Sequence, residues 1–332
     1  MSGTSTYVTR TRIHQVEVDK KKKCTNPKSK KGEEFVQLEN MRTAFLGLGA
    51  MGTHMARHLR KLGPTLVWNR TAAVAEAHAL HHGTTALARL EQAADADAVF
   101  TCLPTSRQVE WCVDKLLDAG MRDTLWIDCT SGAPPASKAI AARLEAAGCA
   151  FVDAPLSGGP AGAEQGALTV MVGGTSEDFG RAQPLLDTFA AKLVHVGPVG
   201  AGHTLKALNN LLASAQLLLG AEALLALKKA GVEPSVALEV LNASSGGSFA
   251  TQRLIPGAVL PRHFGWGFKL PLMTKDCKIA RELLSPEAAP LLAAAAHAME
   301  DAQRELGDER DFTEAVRVAE RRAGIEIKDE GV

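Results

Sequence analysis

The stretch Phe45-Leu46-Gly47-Leu48-Gly49-Ala50-Met51-Gly52 restricts the possible folds more than any other part of the chain. The apolar run 44–46 reads as a buried strand, and residues 53–62 follow a helical pattern. Between them stands Gly-x-Gly-x-x-Gly, the strand–turn–helix arrangement that receives a dinucleotide. Gly47 permits the tight turn, Gly49 lets the backbone approach a pyrophosphate, and Gly52 lets helix and strand pack closely. The positive end of the helix then faces the phosphate charge. Gly47, Leu48, Gly49, Ala50, Met51 and Gly52 are therefore candidate cofactor residues. A glycine-rich strand exit can also serve as a plain turn, so the next strand must discriminate.

That strand, 65–68, follows the turn pair Gly63-Pro64 and ends at Asn69-Arg70-Thr71. The ribose-reading residue belongs here, about 20 residues past the first glycine. An NAD site places Asp or Glu at this point, and this chain has neither. Asn69, Arg70 and Thr71 are read as donors, and the Arg70 guanidinium suits a planar 2′-phosphate. The reading is NADP(H) in preference to NAD(H). The alternative is that Arg70 is a solvated surface arginine.

Past this point strands and helices alternate. Helices are expected at 72–82, after Pro104 with Ser106 as its cap, from Pro134-Pro135 to 147, and at 176–189. Strands are expected at 98–103, 124–129, 149–153, 168–172 and 193–196. Strands separated by helices of this length imply a Rossmann-type, doubly wound parallel sheet over 41–199. After Gly200 the pattern becomes all-α, built on one long helix at about 202–229 and continuing through 234–242, 247–255, 275–284, 286–306 and 311–323. An all-helical substrate and dimerisation domain is expected over 200–325. Residues 1–40 hold Lys20-Lys21-Lys22-Lys23 with little periodic apolar content, and are expected to be a disordered basic extension.

Composition excludes some functions. The 332 residues carry 37 Lys and Arg against 37 Asp and Glu, so nucleic acid is not expected as a partner. The most apolar segment, 207–227, contains Asn209, Asn210, Gln216 and Glu222, and reads as a buried core helix, not a membrane span. Its apolar residues run round nearly the whole helix, so other helices must enclose it, within the chain or between subunits. A homodimer or homotetramer is expected. The 6 cysteines show neither C-x-x-C pairs nor metal spacing, which reads as free thiols in a reducing compartment and no metal site. A cytoplasmic location follows, with a mitochondrial one as the alternative raised by the Ser-, Thr- and Arg-rich start of the arm.

In an open parallel sheet, ligands bind off the carboxyl ends of the strands. Leu103, Pro104 and Ser131 stand at two such ends, and should line the path from adenosine to nicotinamide. Asp153-Ala154-Pro155-Leu156-Ser157-Gly158-Gly159-Pro160 stands at another. Successive N–H groups at Ser157, Gly158 and Gly159 could cradle a carboxylate, with the Ser157 hydroxyl as a further donor; the plain reading is a structural turn. Lys206 lies near the start of the long apolar helix, with Asn210 one turn on, at i+4. Partial burial would lower the Lys206 pKa and suit it to exchange a proton with an alcohol or carbonyl oxygen. A snorkelling lysine is the other reading.

These residues together resemble the β-hydroxyacid dehydrogenase family, which includes 3-hydroxyisobutyrate dehydrogenase, tartronate semialdehyde reductase and the glyoxylate and succinic semialdehyde reductases. Four blocks match in order: 47–52, 153–162, 200–210, and 268–280 with Lys275-Asp276. The resemblance implies a Rossmann domain followed by a helical one. It also implies Lys206 as the catalytic acid/base with Asn210 near the substrate, and Ser157, Gly158 and Gly159 as carboxylate ligands. Ser131 would lie near nicotinamide and substrate, with Phe268 and Lys275 at the cofactor and active-site mouth. Gly-Ala-Gly-His before Lys206 is similar to 6-phosphogluconate dehydrogenases, which carry His-Asn where this chain has Asn209-Asn210. Asn-Arg-Thr at the second strand is shared with the glyoxylate reductases, whereas their substrate block has Glu where this chain has Asp153. The implied function is an NADP(H)-dependent oxidoreductase interconverting a short 3-hydroxy acid and its semialdehyde, on a small carboxylate-bearing substrate. A non-catalytic NADP-binding module, a 6-phosphogluconate dehydrogenase-like activity and imine reduction are the other readings; Lys206 argues against the first and the last, and Asn209-Asn210 against the second.

Overall fold

A computed structural model describes residues 41–283 and 285–329. The basic arm and Cys24 lie outside the described residues. The chain opens with β1 (Thr43–Leu46), α1 (Gly52–Leu59), β2 (Thr65–Trp68), α2 (Ala72–His82), β3 (Thr85–Ala86), β4 (Ala98–Thr101), α3 (Ser106–Asp118), β5 (Leu125–Asp128), α4 (Pro134–Ala146) and β6 (Ala150–Asp153). Their strands pair in parallel in the spatial order β3-β2-β1-β4-β5-β6. This is the Rossmann order. Side chains alternate across the sheet: Phe45, Val67, Phe100 and Ile127 enter one core, and Ala44, Leu46, Val99 and Trp126 the other. Burial on both faces is why these strands read as unbroken apolar runs.

The parallel expectation fails beyond β6. There follow β7 (Leu156–Ser157), α5 (Gly159–Gln165), β8 (Leu168–Gly173), α6 (Ser176–Leu186) and β9 (Ala190–Gly197). β8 runs antiparallel to both β6 and β7, and β9 is parallel to β8. The connection spends its residues on β7 and on a helix of 7 residues, which rises only about 10 Å and does not carry the chain back for a parallel crossover. The cap expected at Ser106 is also corrected. Thr105 occupies the N-cap position, and Ser106 Oγ instead accepts the Ala133 N–H at 2.9 Å, bridging the exits of β4 and β5.

The helical half contains α7 (Ala201–Lys229), α8 (Pro234–Ala243), a π-helix (Ala250–Val259), α9 (Leu270–Arg281), α10 (Pro290–Leu306), a short 3₁₀ turn (Phe312–Ala315) and α11 (Val316–Ala323). The π-helix replaces the α-helix expected at 247–255. Its wide turn shows in the Leu260 N–H bonding the Ile255 carbonyl at 2.9 Å, next to Pro256, which has no N–H to donate. α7 is long and apolar enough to cross a membrane. Here it forms the axis of the helical core, with Leu211, Leu217, Ala221 and Leu224 enclosed by α9, α10, α11 and the π-helix. It also packs against β8, so the helix bearing Lys206 rests directly on the sheet.

Candidate active site

The glycine turn after β1 is made of backbone fitted to backbone. Gly47 has φ +101°, and a Cβ there would lie 2.5 Å from the Cys102 carbonyl oxygen at the exit of β4. At Gly52 a Cβ would lie 2.0 Å from the Gly47 carbonyl oxygen. Gly49 is the contrast: it is exposed, with nothing within 4 Å of its Cβ position. Glycine there answers to no contact inside the chain, so it keeps the backbone open to something approaching from outside. The N-cap of α1, Met51, supplies no side-chain acceptor, which leaves the positive helix end available to an anion. These features fit a dinucleotide.

Asn69 plays a part that the sequence reading missed. Its Oδ1 accepts the Leu48 N–H at 3.1 Å, and its Nδ2 donates to the Thr71 carbonyl at 3.2 Å. The residue read as a ribose donor thus clamps the glycine turn to the exit of β2. Arg70 and Thr71 are exposed beside it. Leu103 donates its N–H to Thr130 Oγ1 at 3.1 Å, which ties the β4 exit to the β5 exit, and Pro104 is exposed.

The second part of the site is a seam of side chains between α7, α9 and the β5 exit. Asn210 donates to Asp276 Oδ2 at 2.6 Å, and Lys275 Nζ stands 3.1 Å from Asp276 Oδ1. Lys275 also donates to the Ser131 carbonyl, so the seam links the helical half to the sheet. Asp276 is 1 % exposed, with Asn210 on one carboxylate oxygen and Lys275 on the other. In the sequence it entered only as half of the pair Lys275-Asp276; its burial could not be seen there.

Lys206 stands beside this pair. Burial pushes its pKa below 10.5, Asp276 pulls the other way, and the like charge of Lys275 adds to the lowering. No hydrogen bond or ion pair joins its Nζ to another described residue, and the side chain keeps partial access to solvent. A lysine so placed gives up its proton more readily than a free one. Asn210, expected near the substrate, directs its amide to Asp276.

The loop expected to hold the substrate carboxylate leaves β6 at Asp153. Gly158 and Gly159 have φ +134° and +64°, where other residues are strained, and they turn the chain from β7 into α5. Ser157 is partly exposed, and both glycines are exposed. The Phe268 ring meets Phe312 edge-on at 6.2 Å, at the margin of the helical core. The five described cysteines are free; burial pushes the thiols of Cys102, Cys112 and Cys277 up to about 12 and that of Cys129 well above its usual value, so these four are not ready nucleophiles. Among the described residues no group of three His, Cys, Asp or Glu could hold a metal.

Comparison with known proteins agrees with this geometry. Residues 42–197 match the family model for the NAD binding domain of 6-phosphogluconate dehydrogenase. Residues 200–319 match that for the NAD-binding of NADP-dependent 3-hydroxyisobutyrate dehydrogenase. The chain is 32 % identical over 295 residues to 2-(hydroxymethyl)glutarate dehydrogenase of Eubacterium barkeri, covering 87 % of this chain and 98 % of that one. It is 35 % identical over 249 residues to NAD-dependent L-serine dehydrogenase of Pseudomonas aeruginosa, covering 72 % and 84 %. Among solved structures, 3-hydroxyisobutyrate dehydrogenase of Mycobacterium tuberculosis with L-serine superposes with a TM-score of 0.78 at 30 % identity, covering 84 % of this chain and 99 % of that one.

Proposed function

The chain belongs to the β-hydroxyacid dehydrogenase family and is an NAD(P)-dependent oxidoreductase of CH–OH groups; from that premise we propose that it interconverts a short 3-hydroxy acid and its semialdehyde with NADP(H), using Lys206 as the proton-transfer group. The observation that carries this reading is Lys206, whose pKa burial depresses, free of any bond to a described residue and beside Asp276 and Lys275. The names of the relatives favour one substrate class. 3-Hydroxyisobutyrate, L-serine and 2-(hydroxymethyl)glutarate all carry a CH₂OH group on the carbon next to a carboxylate, and differ only in that carbon's third substituent.

A bound nicotinamide dinucleotide supplies the hydride acceptor, or in reverse the donor. The glycine turn from Gly47 to Gly52 would hold its pyrophosphate, and Arg70 and Thr71 would read its ribose phosphate. Leu103, Pro104, Ser131 and Lys275 would line the way to the reactive ring. Ser157, Gly158 and Gly159 fix the substrate carboxylate, so the reacting carbon is set by its distance from that anchor. In oxidation, neutral Lys206 takes the hydroxyl proton as the C–H hydride leaves, and becomes an ammonium. In reduction, the ammonium returns that proton to the carbonyl oxygen. Asp276 and Lys275 hold the balance of charge around the nitrogen. The absence of a carboxylate at 69–71 supports NADP(H) over NAD(H). The same reading gives 41–199 to the dinucleotide and 200–325 to the substrate. It also takes the molecule as a homodimer or homotetramer covering Leu205, Leu212 and Leu219, which are 43, 51 and 66 % exposed on one stripe of α7.

The test is a panel of 3-hydroxyisobutyrate, L-serine, 2-(hydroxymethyl)glutarate, tartronate semialdehyde, succinic semialdehyde and glyoxylate, run with NADPH/NADP⁺ and NADH/NAD⁺ in parallel. Turnover of at least one hydroxy acid is expected, with NADP(H) preferred. Lys206→Ala should lower kcat by about 10²- to 10⁴-fold and leave NADPH binding intact. Near-normal turnover by that variant would refute the assignment of Lys206.

A further inference from the structure

We propose that Asp153 is a positioning residue that sets the height of Lys206 over the substrate loop by capping the helix that carries it. The inference rests on the reading of Lys206 as the proton-transfer group. Asp153 is the last residue of β6, with 0 % exposure. Its Oδ1 accepts the Gly200 N–H at 2.7 Å, and its Oδ2 accepts the His203 N–H at 2.8 Å. Both donors belong to the start of α7. The opening N–H groups of a helix have no partner within it, and Gly200, the N-cap, has no side chain to supply one. A carboxylate 47 residues earlier in the chain does so instead, at the positive end of a helix of 29 residues.

The seat is shaped for this one group. A Cβ at Gly202 would lie 2.8 Å from Asp153 Oδ2 and 2.4 Å from the Met171 carbonyl oxygen. A Cβ at Gly173 would lie 2.5 Å from Asp153 Oδ1. Two glycines on different elements therefore leave room for the carboxylate and leave it nowhere else to go. From this anchor the two halves of the chemistry diverge along the chain. Ser157, Gly158 and Gly159 follow Asp153 by four to six residues, and Lys206 follows His203 by three residues, a rise of about 4.5 Å along α7.

The anchored turn also supports the nicotinamide side. The His203 ring shares a 2.6 Å hydrogen bond with Ser137 Oγ through Nδ1. Its Cε1 would be 2.8 Å from a Cβ at Gly132, the neighbour of Ser131. Its Nε2 is buried without a hydrogen bond, 4.0 Å from Asp128 Oδ2. A shift of α7 would thus move Lys206 and the Ser131 turn by different amounts. Displacements of about 1 Å at such a centre cost on the order of 10²-fold in rate.

The experiment is Asp153→Asn in the full-length protein, with kcat expressed per NADPH-binding site. The amide can accept one of the two N–H groups and must point its own NH₂ at the other. The expected result is a fall in kcat of about 10- to 100-fold, with the Kd for NADPH within threefold of wild type. The primary isotope effect with substrate deuterated on the carbinol carbon should rise, because the chemical step has slowed. Unchanged kcat per binding site and an unchanged isotope effect would overturn the proposal, since loss of folded enzyme alone moves neither. Asp153→Glu is the second variant, and carries the test if the amide variant does not fold. It keeps the charge and both acceptors but is longer by one methylene, so the same fall in kcat is expected; full activity would mean that charge, not reach, is what matters, and would also overturn it. Lys206→Ala is run alongside. If that variant stays active the reading of the site fails, whereas a dead Lys206→Ala with a normal Asp153→Asn sinks only this inference.

Discussion

The glycine turn after β1 and the seam around Lys206, the two parts of the proposed site, are built by opposite means. The turn is six consecutive residues, 47–52, and its shape is set by backbone: Gly47 against Cys102, Gly52 against Gly47, Gly49 against nothing. The seam draws Ser131, Lys206, Asn210, Lys275 and Asp276 from the β5 exit and two helices, and what it does is done by side-chain charge. A backbone site is specified by where side chains are missing, so at Gly47 and Gly52 function and fold fail together. A side-chain site can lose its chemistry while the fold stands.

The largest effect should come from breaking the backbone part. Gly52→Ala places a methyl 2.0 Å from a carbonyl oxygen that has no rotamer to give way. Urea denaturation should show a loss of about 3 kcal/mol or more, or no folded protein at all. Gly49→Ala sharpens the contrast: stability should stay within about 0.5 kcal/mol while NADPH binding weakens. Equal destabilisation by the two variants would dissolve the distinction between a packing glycine and a ligand-facing one.

Arg70→Ala should have the next largest effect. An exposed guanidinium that meets only the 2′-phosphate contributes about 1.5–3 kcal/mol of charge-assisted bonding. The Kd for NADPH should therefore rise by about 10- to 100-fold, with that for NADH changing less than threefold. Parallel titration of both cofactors by fluorescence measures this, and an equal change in both would remove Arg70 from cofactor selection.

The smallest effect concerns the cost of keeping Lys206 where it is. Burial holds its folded pKa below 10.5. Between the folded value and 10.5 the unfolded chain binds more protons than the folded one, so stability rises with pH across that window. Below the folded value both states are protonated and the burial cost is paid in full. Lys206→Met should abolish that rise and be at least as stable as wild type at neutral pH. Urea midpoints across a pH series measure it; a variant with the wild-type pH slope would show that Lys206 contributes no such linkage. In wild type, oxidation should speed up as pH rises through the same folded pKa, because the neutral amine is the proton acceptor.

Legibility in the sequence followed the same division. The turn from Gly47 to Gly52 could be read because its residues are contiguous and glycine spacing reports backbone geometry directly. The parallel strands β1 to β6 could be read because burial on both faces leaves unbroken apolar runs. The reversal at β8 could not, since an apolar strand looks the same in either direction, and only the short reach of α5 decides. Asn69 was legible as a polar residue at the ribose position, but not as an acceptor: an amide carries both functions, and its neighbour Leu48 chooses between them. Ser106 had the chemistry of a cap, and its hydroxyl found a closer donor on another strand exit.

The local order of residues determined, without help, a dinucleotide turn, a two-faced sheet, a helix too apolar to stand alone, and a lysine on that helix. These follow from short-range geometry and from which side chains water excludes. Only the packed molecule decided that Lys206 has Asp276 and Lys275 for neighbours, and that Asp153 caps the helix on which it rides. Hydrogen bonds and charges act over a few ångströms of space, whatever the distance along the chain, so these partners come into being only when sheet and helices meet.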